Sequence, residues 1–163
     1  MKKQQTNYAF IDGNNLHLSV INIGWKLDYR KFRQHLADKY EVCKAYYFIG
    51  KVPGMEQLHL YLQKCGYDLI FKPPIKDRHG GYKANVDAEL VLQAMIDIKK
   101  CSGAVIVTSD GDFSCLVKHL DSIGKLKRLL AASRGGCSKY LRIAAGSKVD
   151  YMDDLKTKLE YKK

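Results

Sequence analysis

Residues 104–113 read AVIVTSDGDF, and this stretch decides the fold class of the chain. Its apolar part, 105–107, is β-branched and does not alternate with polar residues, which is typical of a parallel strand covered on both faces. Core-type residues then recur at helical spacing from Phe113 onward, which predicts a helix beginning near Asp112. Asp110 and Asp112 therefore stand where a strand ends in an open α/β sheet, the place where ligands bind. Two acids there can hold a hard cation, although Asp112 also suits a helix N-cap.

Two further acids stand at predicted element boundaries. Asp12 ends the apolar strand 8–11 and is followed by Gly13, which suits a tight turn, and by Asn15, which offers a neutral oxygen or amide. Asp87 opens a strong helix, where the helix dipole favours a carboxylate in any case. That helix is predicted to bury one face made of Ala88, Val91, Leu92, Met95 and Ile98. Caps and turns explain each acid separately, but they do not explain why all of them stand at junctions of one predicted sheet.

Charge indicates the class of partner. The 163 residues include 28 Lys and Arg against 17 Asp and Glu, which gives a net charge of +11. Such an excess favours a polyanionic partner, most often nucleic acid, although surface lysines also serve solubility. A basic chain with a few acids at strand and helix ends suits an enzyme that binds phosphodiesters and positions cations against them.

The cysteines and the N-terminal residues indicate the cellular compartment in which the protein is expected. The five cysteines form no C-x-x-C pair and are odd in number, so we expect reduced thiols rather than a zinc site or a disulfide framework. The residues before Asp12 are too few and too polar for a signal peptide, and no run has the length of a membrane span. We therefore expect a soluble cytoplasmic protein with no membrane partner.

Strand and helix patterns alternate along the chain. This rhythm predicts a single α/β domain over 1–163, with a core at about 7–155 and a short basic tail. The expected architecture is a three-layer sandwich around a mostly parallel sheet. With right-handed crossovers we expect the strand order 3-2-1-4-5, in which the strand 8–11 neighbours the strand at 105–107. Their carboxyl ends then open a crevice that would hold Asp12, Asp110 and Asp112, with Asp87 facing in.

Three motifs follow one another in the chain: FIDGNNL at 10–16, KANVD at 83–87 and TSDGDF at 108–113. Together they resemble the signature blocks of the NYN domain, in particular its LabA-like branch among the PIN-like nucleases. The resemblance covers nearly the whole chain and implies a PIN-like, Rossmann-like fold with ribonuclease activity. It also implies a metal centre with Asn15 in support and Lys83 beside it, made of Asp12, Asp87, Asp110 and Asp112.

The residue types alone, without the family resemblance, also suit metal-assisted cleavage of a phosphodiester. Two divalent cations can activate a water molecule and stabilise the charge that develops during phosphodiester cleavage. Ligation by oxygen alone fits Mg²⁺ or Mn²⁺ better than zinc. Thr108 and Ser109 either orient a carboxylate or simply end the strand, and Lys83 is either a phosphate contact or a solvated loop lysine.

Cations near the loops are candidates for RNA binding. The loop 73–83 carries Arg78, Tyr82 and Lys83, which could grip backbone phosphates and stack on a base, as single-strand binders do. Arg134 stands in a glycine-rich turn before a predicted helix with Lys139 in its first turn, and such a helix start attracts anions.

These observations favour a metal-dependent ribonuclease that cleaves RNA at the aspartate cluster, and we expect the RNA to be single-stranded. Two alternatives stay open at this point: a non-catalytic RNA-binding or regulatory PIN-like module, and a Toprim-like or phosphatase-like phosphotransfer domain. Asn14 counts against the phosphatase alternative, because the usual nucleophile-and-acid pair would need an Asp two residues after Asp12. A homodimer is also left open.

Overall fold

The computed structural model of the protein describes residues 6–163, without the side chain of Lys83. Its centre is a six-stranded sheet in the order β3-β2-β1-β6-β7-β8, in which every neighbouring pair is parallel. The strands are β1 (Asn7–Asp12), β2 (Val42–Gly50), β3 (Asp68–Lys72), β4 (Ile75–Lys76), β5 (Tyr82–Lys83), β6 (Ala104–Val107), β7 (Leu126–Ala131) and β8 (Val149–Tyr151). The helices are α1 (Gly13–Asn22), α2 (Tyr29–Tyr40), α3 (Glu56–Lys64), α4 (Asp87–Asp97), α5 (Ser114–Ser122), α6 (Lys139–Ala145) and α7 (Lys156–Leu159). The predicted α/β class and parallel sheet are confirmed.

The expected strand order 3-2-1-4-5 is wrong in its numbering and its extent. The fourth and fifth strands of the chain form a separate antiparallel hairpin inside the predicted loop 73–83. The Asp77 side chain stabilises the hairpin turn, because one of its oxygens accepts from the backbone N–H groups of His79 and Gly81, each at 2.8 Å. In addition, β8 pairs with β7 and makes the sheet six strands wide. The neighbours expected at the centre, β1 and β6, do pair.

Two hydrophobic layers cover the faces of the sheet. Ile11 points to the layer that contains residues of α1, α2, α3 and α7, whereas Phe10 points to the layer that contains residues of α4, α5 and α6. Because successive side chains of a strand point to opposite faces, β1 contributes to both layers. The predicted three-layer sandwich is therefore confirmed.

The predicted core face of α4 is only partly confirmed, because the helix is rotated. Ile98 is buried and Val91 packs partly buried against the core, as expected, but Ala88, Leu92 and Met95 are exposed. Leu90 and Ala94 of the helix and Ile98 directly after it are buried at a spacing of four residues, and Asp97 is buried as well. By contrast, Leu92 is 62% and Met95 39% exposed. The three buried apolar positions lie on the same side of the helix as Asp87, three, seven and eleven residues after it. A helix rotated in this way brings the Asp87 side of its first turn toward the sheet.

The C-terminal residues close against the segment before α2. Asp28 donates its backbone N–H to the Leu159 carbonyl at 2.8 Å, and Tyr161 donates to the Lys26 carbonyl at 2.8 Å. Leu159 is fully buried, so packing continues past the expected core boundary near residue 155. The Asp28 carboxylate caps α2 by accepting from the backbone N–H groups of Arg30 and Lys31, as expected of an Asp directly before a helix.

Within residues 6–163, none of the helices combines the length and the apolar character that crossing a membrane would require.

Candidate metal centre

Three carboxylates from three separate elements meet at the carboxyl edge of the sheet. Asp12 ends β1, Asp110 follows β6, and Asp87 begins α4. Because Ile11 pairs with Val107 in neighbouring strands, the first two acids leave the sheet at the same edge. One oxygen from each of the three carboxylates lies within 4.8 Å of the others. This spacing suits oxygens that share one hard cation.

Asp12 is the buried member of the cluster, with only 5% of its surface exposed. Its Oδ2 accepts a hydrogen bond from the Thr108 hydroxyl at 3.1 Å, and its Oδ1 accepts from the Asn15 backbone N–H at 3.5 Å. Burial raises the pKa of Asp12 to about 6, the hydrogen bonds oppose the rise, and the charges of Asp87 and Asp110 add to it. The carboxylate therefore carries a desolvation cost that a bound cation would offset.

A small hydrogen-bond network joins the ends of β1 and β6. The Thr108 hydroxyl oxygen also accepts from the Asp110 backbone N–H at 3.1 Å. Across the junction, the Asn15 side-chain oxygen accepts from the Ser109 backbone N–H at 2.9 Å. The structure thus places Thr108, Asn15 and Ser109, all singled out from the sequence, in contact with the acids or with each other. Their role is to hold the two strand ends in a fixed relation.

Asp110 acts as a cap, whereas Asp112 lies outside the three-carboxylate group. Asp110 Oδ1 accepts from the Asp112 backbone N–H at 2.9 Å and so begins the 3₁₀ turn Gly111–Phe113. The expected N-cap role of Asp112 is therefore wrong, because the chain turns two residues earlier. Gly111 is required by close packing, since a Cβ there would lie 2.5 Å from the Ser138 hydroxyl. Asp112 is exposed and lines the same cavity as the cluster.

Asp87 reaches the cluster from the start of α4. Its backbone N–H donates to the Asn85 side-chain oxygen at 2.8 Å, which orders the turn before the helix. Burial raises the pKa of Asp87, and the neighbouring charges of Asp110 and Asp112 raise it further. Crowded carboxylates of this kind favour a bound cation or a proton.

Tyr47 of β2, a buried core residue, contacts the turn directly after Asp12. Its hydroxyl donates to the Gly13 carbonyl at 3.1 Å, directly after Asp12. The Tyr47 ring packs so closely on Gly13 that a Cβ at that glycine would lie 2.2 Å from ring carbon Cε1. Sequence reasoning could have found one signal, since a glycine directly after a strand-end acid is typical of close packing.

The cluster opens into a cavity of about 790 Å³. Besides the acids, its walls include the following polar or aromatic side chains: Asn14, Asn15, Asn22, Lys72, Lys76, Asp77, Tyr82 and Asn85. The sequence did not single out Lys72, which ends β3 and places its ammonium 3.2 Å from a Glu89 oxygen and 2.6 Å from the Asn85 carbonyl oxygen. Glu89, in the first turn of α4, is therefore paired with a lysine of the cavity wall.

The hairpin residues lie beside this cavity. Tyr82 is 42% exposed and lines the cavity, and Arg78 is exposed at the hairpin turn. The Lys83 backbone is part of β5, but its side chain lies outside the described part of the structure.

The second basic segment is differently placed. Arg134 donates its backbone N–H to both oxygens of Asp153 at 3.1 Å, and its guanidinium lies 3.4 Å from an oxygen of Asp154. Lys139 is exposed, and its ammonium lies 5.4 Å from the centre of the Tyr140 ring. Neither cation is among the residues that line the cavity of about 790 Å³.

The donor set agrees with a hard cation. Among the described residues, the metal-ligating groups that meet are three carboxylates, and the Thr108 hydroxyl oxygen and the Asn15 amide oxygen lie beside them. Mg²⁺ and Mn²⁺ prefer such ligands and retain several waters, which the open cavity allows. A soft metal would require thiolate or imidazole ligands at the same place.

Known proteins resemble this chain over most of its length. The family model described as "NYN domain" matches residues 8–151. The "Low amplitude and bright protein LabA" of Synechococcus elongatus is 26% identical over 162 residues, which cover 93% of this chain and 86% of that protein. A crystal structure of a protein of unknown function from Vibrio parahaemolyticus has a TM-score of 0.74 at 23% identity. The superposition covers 94% of this chain and 98% of the Vibrio chain, so the two proteins share a fold.

Proposed function

The chain belongs to the NYN domain family, a family of PIN-like nucleases, and from that premise we propose that it is a divalent-metal-dependent ribonuclease. The observation that carries the proposal is the convergence of Asp12, Asp87 and Asp110, whose oxygens lie within 4.8 Å of one another. Family membership supports a nuclease, and RNA is the substrate that the family suggests.

The three carboxylates would hold Mg²⁺ or Mn²⁺. When bound, such an ion polarises a phosphoryl oxygen and lowers the pKa of a coordinated water. Asp12 is held in place by the Thr108 hydroxyl at 3.1 Å, and Asp110 by its hydrogen bond to the turn that follows. These contacts keep the ligand oxygens in position, so that little reorganisation is needed when substrate arrives.

Asp112 has a separate role in this proposal. It is exposed on the same cavity but is not among the three close ligands. A carboxylate in that position can orient an attacking water by accepting its hydrogen bond, or hold a second cation through water. Its replacement should therefore reduce turnover more than it reduces affinity for the first cation.

The basic wall of the cavity would bind the RNA backbone. Lys72 and Lys76 line the cavity beside Tyr82, and Arg78 lies at the hairpin turn. Cations that neutralise phosphates, next to an aromatic ring that stacks on a base, form the usual groove for a single strand. Lys83 would add to this wall, and Arg134 and Lys139 would meet phosphates farther along the strand.

Digestion of labelled single-stranded RNA and DNA tests the proposal. The reactions contain Mg²⁺, Mn²⁺ or EDTA, and we expect cleavage of RNA with either metal and none with EDTA. Asp110→Asn should remove cleavage, whereas Asp68→Asn, an exposed acid at the amino end of β3, should not. Absence of cleavage under all conditions, or equal cleavage by Asp110→Asn and the parent, would show that the proposal is wrong.

A further inference from the structure

A second cavity, of about 390 Å³, lies on the other side of α1. His17 and Ile21 of α1 line this second cavity, whereas Asn14, Leu18 and Asn22 of the same helix line the cavity of the metal centre. Residues three and four apart share a helix face, so each cavity takes one side of α1. The helix is the common wall, and with its side chains it is about 10–12 Å across.

The exposed surface of α1 is unusual for this protein. Charged residues make up 28% of the chain, but the ten residues of α1, GNNLHLSVIN, include no Asp, Glu, Lys or Arg. Leu18 is 49% and Ile21 47% exposed on the ridge between the cavities. A helix that faces only solvent usually carries charges on its outer side. A neutral, partly apolar ridge beside a metal centre is therefore typical of a surface that another molecule covers.

The second cavity has aromatic walls and a single lysine. Tyr29, Tyr61 and Tyr161 line it, together with aliphatic side chains from α1 and α3. The Lys26 ammonium lies 5.2 Å from the centre of the Tyr161 ring, at the edge of the cavity. No carboxylate is among the lining residues that the structure describes. These walls suit a flat, neutral ring, and the lysine suits an anion attached to it.

We propose that the second cavity binds a nucleobase of the same RNA strand whose backbone lies at the metal centre. The inference rests on the ribonuclease function proposed above. The strand would cross the neutral ridge of α1, place one base against Tyr161 and Tyr61, and bring the adjoining phosphate to Lys26. The volume lies at the lower end of the range of small-ligand pockets, which suits one ring system rather than a peptide.

The mode of recognition follows from the same walls. Stacking on an aromatic ring is available to every base, because each has a π-face. The cavity offers few polar groups that could read a base edge, chiefly His17 and the tyrosine hydroxyls. The site therefore anchors the strand at a set distance from the cut and favours no particular sequence strongly.

An abasic scan measured as a double-mutant cycle tests the proposal. Anisotropy of labelled oligoribonucleotides, each lacking one base, is measured with EDTA, so that no cleavage is needed. The parent should lose about tenfold in affinity at one position, within the 1–3 kcal/mol range of a base stack. Tyr161→Ala should weaken binding of the intact strand by a similar factor, and removal of the same base should then cost nothing more. Ile21→Trp, which fills the cavity, should act in the same way.

Tyr140→Ala is the matched control, because Tyr140 is 61% exposed on α6 and does not line the cavity. Additive losses for Tyr161→Ala and the abasic position, equal losses for the control, or no RNA binding by the parent would overturn the proposal. So would loss of self-association in Tyr161→Ala with unchanged RNA affinity, since the occupant would then be a second copy of the chain. Coupling between Tyr161 and one base without any cleavage in Mg²⁺ would instead contradict only the ribonuclease function.

Discussion

The hairpin formed by β4 and β5 and the turn that begins at Arg134 are both basic, yet their charges are placed differently. The hairpin bears Lys76 and Tyr82 on the wall of the cavity that the acids also line. In the turn, Asp153 and Asp154 hold the arginine directly. Cations near glycines look alike in sequence, but their availability to an anionic ligand depends on acids that the fold brings to them. The acids differ in the same way: those of the metal centre face a cavity, whereas Asp153 and Asp154 face Arg134.

The largest expected effect is on RNA turnover, and it should distinguish the acids of the metal centre from the acids beside Arg134. Asp110→Asn removes a ligand charge and should lower RNA turnover by roughly a hundredfold or more, because the cation would be held less well and less accurately. Asp154→Asn is the same chemical change at an exposed ion pair and should leave turnover within about twofold. Single-turnover cleavage of labelled RNA in Mg²⁺ measures both. Equal losses would show that the two acidic regions do not differ in function.

The next effect concerns the pH dependence of stability. The folded pKa of Asp12, about 6, lies above its ordinary value of 3.8, so folding is penalised once the carboxyl must ionise. The penalty is absent below pH 3.8, grows as the pH rises, and is complete above pH 6, at about 3 kcal/mol. Asp12→Asn should therefore stabilise the metal-free protein at pH 7.5 by up to that amount and should lose the advantage near pH 4.

Urea unfolding of the parent and of Asp12→Asn in EDTA, at several pH values, measures this difference. His35 is buried with its pKa lowered to about 4, so its own cost appears as the pH falls, in the opposite direction. Both proteins contain His35, so the difference between their free energies of unfolding at each pH does not include its contribution. Asp153→Asn, the same substitution at an acid beside Arg134, should not raise the free energy of unfolding at high pH. A pH-independent difference between parent and Asp12→Asn would contradict the assignment.

A smaller effect should distinguish the two basic regions in RNA binding. Each phosphate-contacting cation contributes about 0.7 to the slope of log affinity against log salt for a single strand. Lys76→Gln with Arg78→Gln should thus reduce the slope by about 1.4. Arg134→Gln should reduce it by less than half as much as one hairpin cation, because the guanidinium already lies 3.4 Å from Asp154. Anisotropy titrations from low to moderate salt measure the slopes, and equal slopes would remove the distinction.

The smallest effect comes from releasing the arginine. Asp153→Asn with Asp154→Asn leaves Arg134 without its two acidic partners, so the turn should resemble the hairpin more closely. RNA affinity should rise a few-fold at low salt, while stability should fall by no more than about 1 kcal/mol, the usual worth of exposed pairs. Unchanged affinity would show that RNA does not reach this turn.

Local sequence patterns predicted that the acids at the ends of neighbouring strands would lie at the same edge of the sheet. Asp12 and Asp110 were expected at one edge because both follow apolar strands that a parallel α/β order makes neighbours, and β1 and β6 do pair. The Asp28 cap likewise follows from local sequence, since an Asp directly before a helix is a favoured N-cap. These inferences needed only periodicity and the rules of sheet connection.

Contacts between distant segments could not be read in this way. The rotation of α4 depends on which of two apolar stripes meets the sheet, and its sequence offers both, so Leu92 was wrongly placed in the core. Lys72 was overlooked because its partner Glu89 and the carbonyl of Asn85 lie beyond the hairpin. The neutralisation of Arg134 depends on acids 19 and 20 residues later in the chain.

The hydrogen bond between Thr108 and Asp12 also has a consequence for protein synthesis, since it joins residues 96 positions apart. A chain leaves the ribosome N-terminus first, and non-local pairings form only after the intervening segment is available. Asp12 emerges early, but β6 and Asp110 must follow before the centre can close, at residue 110 of 163. A nascent chain therefore lacks the complete three-aspartate cluster for most of its translation.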